Sequence, residues 1–217
     1  MELKLYSYWR SSASYRVRIA LNLKELSYDL IPIHLVRDGG EQHKRDFIEM
    51  NPQRLVPILT DGGRVFRQSM AIMEYLEEAY PDPVLLPAEI RARGRVRSLA
   101  QIINCDVHPL NNLRVLMYLE KELEVRGSRK TGWIQYWISE GFTAFEELLN
   151  ISPTTGTFCE GDYPTLADCC LIPQVYNAIR FKCDLEPYPE IRRIYENCME
   201  LEPFFDASPE EQPDYEE

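Results

Sequence analysis

No apolar run in the 217-residue chain approaches the ~18 residues needed to cross a membrane, so no span is expected. The opening "MELKLYSYW" is strand-like and has no basic stretch leading into an apolar one, so no signal peptide is expected. Six cysteines lie at 105, 159, 169, 170, 183 and 198, and none forms a CxxC pair. The adjacent Cys169 and Cys170 cannot face each other on a helix, which argues against a local redox site. A chain this long needs no disulfide staples, so reduced thiols and a cytoplasmic location are expected. Basic charge is scarce as well: 24 Lys and Arg against 35 Asp and Glu give a net charge of −11. That balance argues against nucleic acid as a partner, because phosphates require a basic surface. An anionic small-molecule partner stays open, since charge beyond about 8 Å is screened and a few arginines can dominate a pocket. GxSxG is absent and no His–Asp pair follows a serine at recognisable spacing, so a nucleophilic serine is not expected. No metal site is expected either.

What is present suits one large domain or two small ones: 45% hydrophobic and 27% charged residues allow a proper core and a soluble surface. "LKLYSY", 3 to 8, suits a short buried strand. Residues 14 to 24 show helical spacing, with Val17, Ala20, Leu21 and Lys24 on one side. "SYDLIPIHL", 27 to 35, is a second strand, and the βαβ unit favours a parallel pair. "EQHKRDFIEM" reads as a short helix. "VPILTDGGRVFRQS" reads as a hairpin with a Gly-Gly turn, and Ser69 can cap the following helix "MAIMEYLEEAY".

Three prolines between 81 and 87 stop that helix and make a stiff connector. Beyond it the pattern is helical: one long helix over about 89–124, one from near Trp133, one from Thr165 and one over about 188–200. In "TLAD", Thr165 and Asp168 have the spacing of a capping box. The tail "DASPEEQPDYEE", 206 to 217, carries six acids and no base, and is expected to be mobile.

Several stretches could carry chemistry. Ser11 and Ser12 precede a helix N-terminus, which offers unpaired N–H groups and a partial positive charge. One serine can be a plain N-cap, or a hydroxyl can join the dipole in stabilising a ligand's anion. Val56–Pro57 precedes a strand; the base rate favours a trans bond, and a cis bond would leave the Val56 backbone free for an extended peptide ligand. Ser69, at a helix N-terminus, suits a carboxylate as well as a cap. His108–Pro109 interrupts a helix, and Asn111, Asn112 and Arg114 follow. Arg180, in "NAIRFK", reads on its own as a solvated or salt-bridged arginine. Arg91, Arg93, Arg95 and Arg97 alternate, which suits a solvent or subunit contact.

Together, "YWRSSASYRVRIALNLK", "NPQRLVPIL", "QSMAIMEYLEE", "CDVHPLNNLRVL", "TLADCCLIPQVYNA" and "DLEPYPEI" resemble the zeta class of glutathione transferases, the maleylacetoacetate and maleylpyruvate isomerases. The stretches cover almost the whole chain in the family's order. "SSxSxRVRIAL" is specific to the class, whereas "TLAD" is shared by transferases generally. The resemblance implies an α/β thioredoxin-like N-terminal domain over residues 1–82 and an all-α C-terminal domain over 87–217. It also implies a homodimer and glutathione as cofactor.

In this resemblance Ser11 activates the glutathione thiol, with Ser12 beside it able to cap the helix. Gln42, Val56 with Pro57, Gln68 and Ser69 fall on the glutathione-backbone positions. His108 and Asn112 fall in the pocket above the thiol. Arg10, Arg114 and Arg180 are implied to hold the carboxylates of a dicarboxylate substrate. Ala13 departs from the cysteine that usually follows the two serines, and His108 stands where some relatives carry glutamine and the maleylpyruvate branch carries histidine. The implied reaction is reversible thiolate addition to a cis double bond, rotation, and release of the trans isomer. The alternatives are a broad-specificity conjugase or dehalogenase, and a non-enzymatic interaction module with no glutathione affinity.

Overall fold

The structure is a computed structural model that describes residues 2–216. It divides into two compact units, one running to Leu85 and resuming at Glu200, the other spanning Leu86–Met199. The division lies between Leu85 and Leu86, and the described residues from Glu200 onward belong with the N-terminal unit rather than with the helical one.

In the first unit β1 (Leu3–Ser7) alternates buried and half-buried residues and leads into α1 (Ser12–Leu23). β2 (Tyr28–Pro32) is shorter than expected and pairs parallel with β1, as a βαβ crossover requires. α2 (Arg45–Met50) precedes β3 (Ile58–Asp61), and the Gly62–Gly63 turn, with both residues at positive φ, leads into β4 (Arg64–Arg67). The sheet order is β2-β1-β3-β4, with β3 antiparallel to both neighbours. α3 (Ser69–Ala79) completes the βαβαββα order. Val17, Ile19, Ala20 and Leu21 of α1, Leu5 of β1 and Ile72, Met73 and Leu76 of α3 have no measurable exposure. Lys24 is also buried: its Nζ donates to Glu77 Oε2 (2.7 Å) and to the carbonyls of Tyr80 (2.7 Å) and Pro83 (2.8 Å). The ammonium thereby anchors the end of α3 and the proline connector, with all three of its protons used.

The second unit is helical. α4 (Ile90–Gln101) does not continue to 124. It passes into a π-helical segment, Ile102–Val107, and a 3-10 segment, His108–Asn111, before α5 (Leu113–Lys121). The break has a local cause, because Pro109 supplies no N–H to the ladder. α6 (Ser128–Asn150) starts five residues before Trp133, and α7 (Leu166–Arg180) and α8 (Pro189–Met199) follow. The capping box forms: Asp168 accepts from the N–H and the hydroxyl of Thr165 (2.7 and 2.8 Å) and also from the N–H of Cys159 (2.9 Å). The arginine run does not all face outward. Arg95 donates to the Cys159 carbonyl (2.6 Å) and to Thr155 Oγ1 (2.8 Å), and pairs with Glu160.

Residues 206–216 of the acidic tail are held in defined contacts, contrary to their composition, and Glu217 lies outside the described residues. α9 (Glu202–Phe205) and the residues after it return to the first unit, where Asp214 accepts the Trp9 N–H at 3.0 Å and Glu216 meets His34 and Arg37. Local acidity and prolines misled because the partners lie about 200 positions earlier in the sequence. Among the described residues no helix is long and apolar enough to cross a membrane.

Candidate active site

The turn between β1 and α1 reaches a helix N-terminus with two hydroxyls. α1 begins at Ser12 rather than at residue 14, and Ser11 is its N-cap: Ser11 Oγ accepts from the Ser14 N–H at 3.2 Å. The expected division of labour, with Ser12 as the cap, is therefore corrected. Accepting one hydrogen bond leaves the Ser11 hydroxyl proton as a donor. Ser11 is half-buried and Ser12 is buried in the first turn of the helix. No acidic residue sits in that first turn to oppose an anion.

A second helix N-terminus lies in the same unit. Gln68 has φ 70° and occupies the N-cap position of α3 without a side-chain cap bond, so Ser69 is the first helical residue and not the cap expected for it. The Gln68 side chain donates to Gln53 Oε1 at 2.8 Å. Ser69 is buried and its Oγ accepts from Arg16 Nη1 at 3.2 Å. Because an arginine supplies that hydrogen bond, the Ser69 hydroxyl is oriented as a donor in turn. The positive end of α3, a hydroxyl donor and a nearby guanidinium make a set suited to a carboxylate.

Val56 precedes Pro57 through a cis bond, where the base rate favours trans. Val56 is 8% exposed, and among the described residues its N–H and carbonyl enter no hydrogen bond. Gln42 is also buried. Its Nε2 donates to the Leu35 carbonyl at 3.1 Å, and its Oε1 has no partner among the described residues. Arg10 places its guanidinium 5.0 Å from the centre of the Trp9 ring.

The remaining candidates belong to the second unit. His108 opens the 3-10 segment and is half-buried; the Leu110 carbonyl two residues on accepts from Trp133 Nε1 at 2.9 Å. Asn112 caps α5 by accepting from the Arg114 N–H (3.2 Å), and Arg114 is exposed. Arg180 lies in the last turn of α7 and its guanidinium covers the Phe181 ring at 4.8 Å. None of the six cysteines forms a disulfide. Burial pushes the Cys159, Cys183 and Cys198 thiols up, so none of these three offers a thiolate at neutral pH.

The N-terminal residues 5–84 match the family model of the glutathione S-transferase N-terminal domain. A maleylpyruvate isomerase from Ralstonia sp. is 51% identical over 98% of this chain and 99% of its own. The holo structure of a maleyl pyruvate isomerase, described as a bacterial glutathione transferase of zeta class, superposes with TM-score 0.95 at 50% identity, over 98% of this chain and all of that one. The chain belongs to the zeta class of glutathione transferases. A maleylacetoacetate isomerase from Methylobacterium extorquens AM1, crystallised with malonate and glutathione, is a further likeness, with TM-score 0.94 and 41% identity over 99% of this chain and all of that one.

Sequence reasoning passed over two arginines that support the site, Arg18 bonding the carbonyl of Trp9 in the turn before α1 and Arg16 bonding Ser69 at the start of α3. Arg16 and Arg18 are both fully buried on α1, between Tyr15, Val17 and Ile19. Burial lowers the Arg18 guanidinium to about 10, with Tyr28, Tyr15 and Asp214 opposing the shift, so it is charged at neutral pH. The available signal was the pattern "YRVRIAL" itself, since two cations inside an apolar helical stripe need buried acceptors.

Proposed function

We propose that this protein is a glutathione-dependent cis–trans isomerase that converts maleylacetoacetate to fumarylacetoacetate. The observation that carries the reading is the Ser11-capped turn, a hydroxyl with no thiol at a helix N-terminus, in a chain similar to isomerases over nearly its whole length.

The residues fit the cofactor. Ser69 at the positive end of α3 suits a carboxylate, and Arg16 orients that serine by donating to its Oγ. The uncommitted N–H and carbonyl of Val56 suit the backbone of an extended peptide. The partnerless Gln42 Oε1 is a buried acceptor awaiting a donor. In our reading Gln42, Val56, Gln68 and Ser69 hold glutathione, with His108 and Asn112 from the helical unit.

Bound glutathione supplies a thiolate that adds to the cis double bond and departs once the bond has rotated. Ser11 is assigned to donate its free hydroxyl proton to the sulfur, beside the positive end of α1. A free thiol has a pKa near 8.5, so only a few per cent ionises at pH 7; lowering it by about two units stabilises the thiolate by about 2.7 kcal/mol. Arg180, Arg10 and Arg114 are assigned to the substrate carboxylates and to the charge that builds on the conjugated ketone oxygen. Homodimerisation and a cytoplasmic location accompany this reading.

Maleylpyruvate is the second reading. It is favoured by the name of the 51% identical relative and by His108, the residue of the maleylpyruvate branch. Turnover of each cis substrate with sub-stoichiometric glutathione tests both. Maleylacetoacetate should be consumed at the higher kcat/KM; a clear preference for maleylpyruvate selects the second reading, and conjugation without isomerisation defeats both.

A further inference from the structure

The acidic C-terminal segment has a use that neither its composition nor the isomerase reading supplies. Trp9, the residue two before Ser11, is held at its backbone and its ring, while its indole Nε1 has no hydrogen-bond partner among the described residues. Asp214 accepts its backbone N–H at 3.0 Å, and Arg18 Nη2 donates to its carbonyl at 3.0 Å. Tyr215 packs edge-on against its ring at 5.1 Å, and Arg10 covers the ring at 5.0 Å.

Arg18 ties the same grip to the start of the segment. Its Nε donates to the Ala207 carbonyl (2.9 Å) and its Nη1 to Ser7 Oγ (3.2 Å). The turn then closes on itself, because the Ser11 N–H donates to the Tyr8 carbonyl at 2.9 Å. Residues 206–216 thus act as a strap: Asp214 and Tyr215 hold Trp9, Ala207 is tied to it through Arg18, and Glu216 reaches His34 and Arg37. Asp214 is poorly explained as a stabilising device. Its Oδ1 is buried without a partner among the described residues, and an unsatisfied carboxylate oxygen costs stability. Its other oxygen holds a backbone N–H with the strength of a charge-assisted bond.

We propose that Asp214, aided by Tyr215, is a positioning residue for the turn that carries Arg10 and Ser11, so that the C-terminal strap sets where the thiol-activating hydroxyl stands. The proposal rests on the reading of Ser11 as the sulfur's donor.

The test uses the full-length Asp214→Ala, Asp214→Asn and Tyr215→Ala variants and two readouts. Hydrogen exchange of residues 8–12 is followed without glutathione, and the ultraviolet thiolate band of bound glutathione is titrated with pH. Asp214→Ala should speed exchange at the Trp9 and Ser11 amides about tenfold or more. It should also move the thiolate titration to higher pH and lower kcat at neutral pH about tenfold, with little change in glutathione affinity. Asp214→Asn should recover most of this, because the amide oxygen still accepts from Trp9, and Tyr215→Ala should fall between. Unchanged exchange at Ser11 in Asp214→Ala, or a thiolate titration that overlays the wild type, would overturn the proposal. A wild-type protein with no thiolate band would defeat the glutathione reading instead, and the exchange data alone would then decide whether the strap holds the turn.

Discussion

Ser11 Oγ caps α1 by accepting from the Ser14 N–H, and in the proposed reading its remaining proton serves the sulfur. Ser11→Ala should therefore cost ~1 kcal/mol of stability for the lost cap. It should also reduce turnover by ~10²-fold, as for one preorganised donor. Ser12→Ala should leave the thiolate titration in place; the pH dependence of turnover in both variants, set beside their melting temperatures, checks the pair. Adjacent serines are equally good caps by type, so composition could not decide between them, and only the helix start at Ser12 does. Arg180→Leu should raise the substrate KM far more than the glutathione KM, since a charge-assisted contact is lost. An unchanged substrate KM would remove Arg180 from the carboxylate site.

Among elements, those with local signals were legible. The βαβαββα order followed from period-2 strands, helical spacing and the Gly62–Gly63 turn, and the Thr165–Asp168 box followed from its own spacing. The π segment was not legible, because apolar spacing does not separate an i→i+5 turn from an i→i+4 one. Gly141 of α6 packs against Val107, and a Cβ there would overlap the Val107 side chain. Gly141→Ala should therefore destabilise the helical unit by about 1–3 kcal/mol of overpacking, offset by up to ~1 kcal/mol of helix propensity. Thermal melting reads the sum, and a raised Tm would contradict this account of the contact. The capping box allows a sharper test. Burial holds the Asp168 carboxyl above its ordinary range even though the Cys159 and Thr165 donors pull it down. Asp168→Asn would set an NH2 against one of those donors, and chemical denaturation should show a loss of about 3 kcal/mol, an unsatisfied buried donor plus a weakened cap.

At the scale of the whole molecule, the candidate residues are spread over both compact units: Arg10, Ser11, Gln42, Val56, Gln68 and Ser69 belong to one, and His108, Asn112, Arg114 and Arg180 to the other. The family and its fold were legible from motifs spread along the chain. The C-terminal strap was not, because an acidic, proline-bearing stretch has the composition of a loose tail and its partner Trp9 is distant in sequence. The central claim is that the protein isomerises its substrate with a thiol it does not itself contain. The most direct measurement is the loss of cis-dienone absorbance on adding maleylacetoacetate to dialysed enzyme, before and after sub-stoichiometric glutathione. The account predicts no turnover before the addition and many turnovers per glutathione after it, with the trans isomer as product. Full activity in the dialysed enzyme, or one substrate consumed per glutathione, would contradict it.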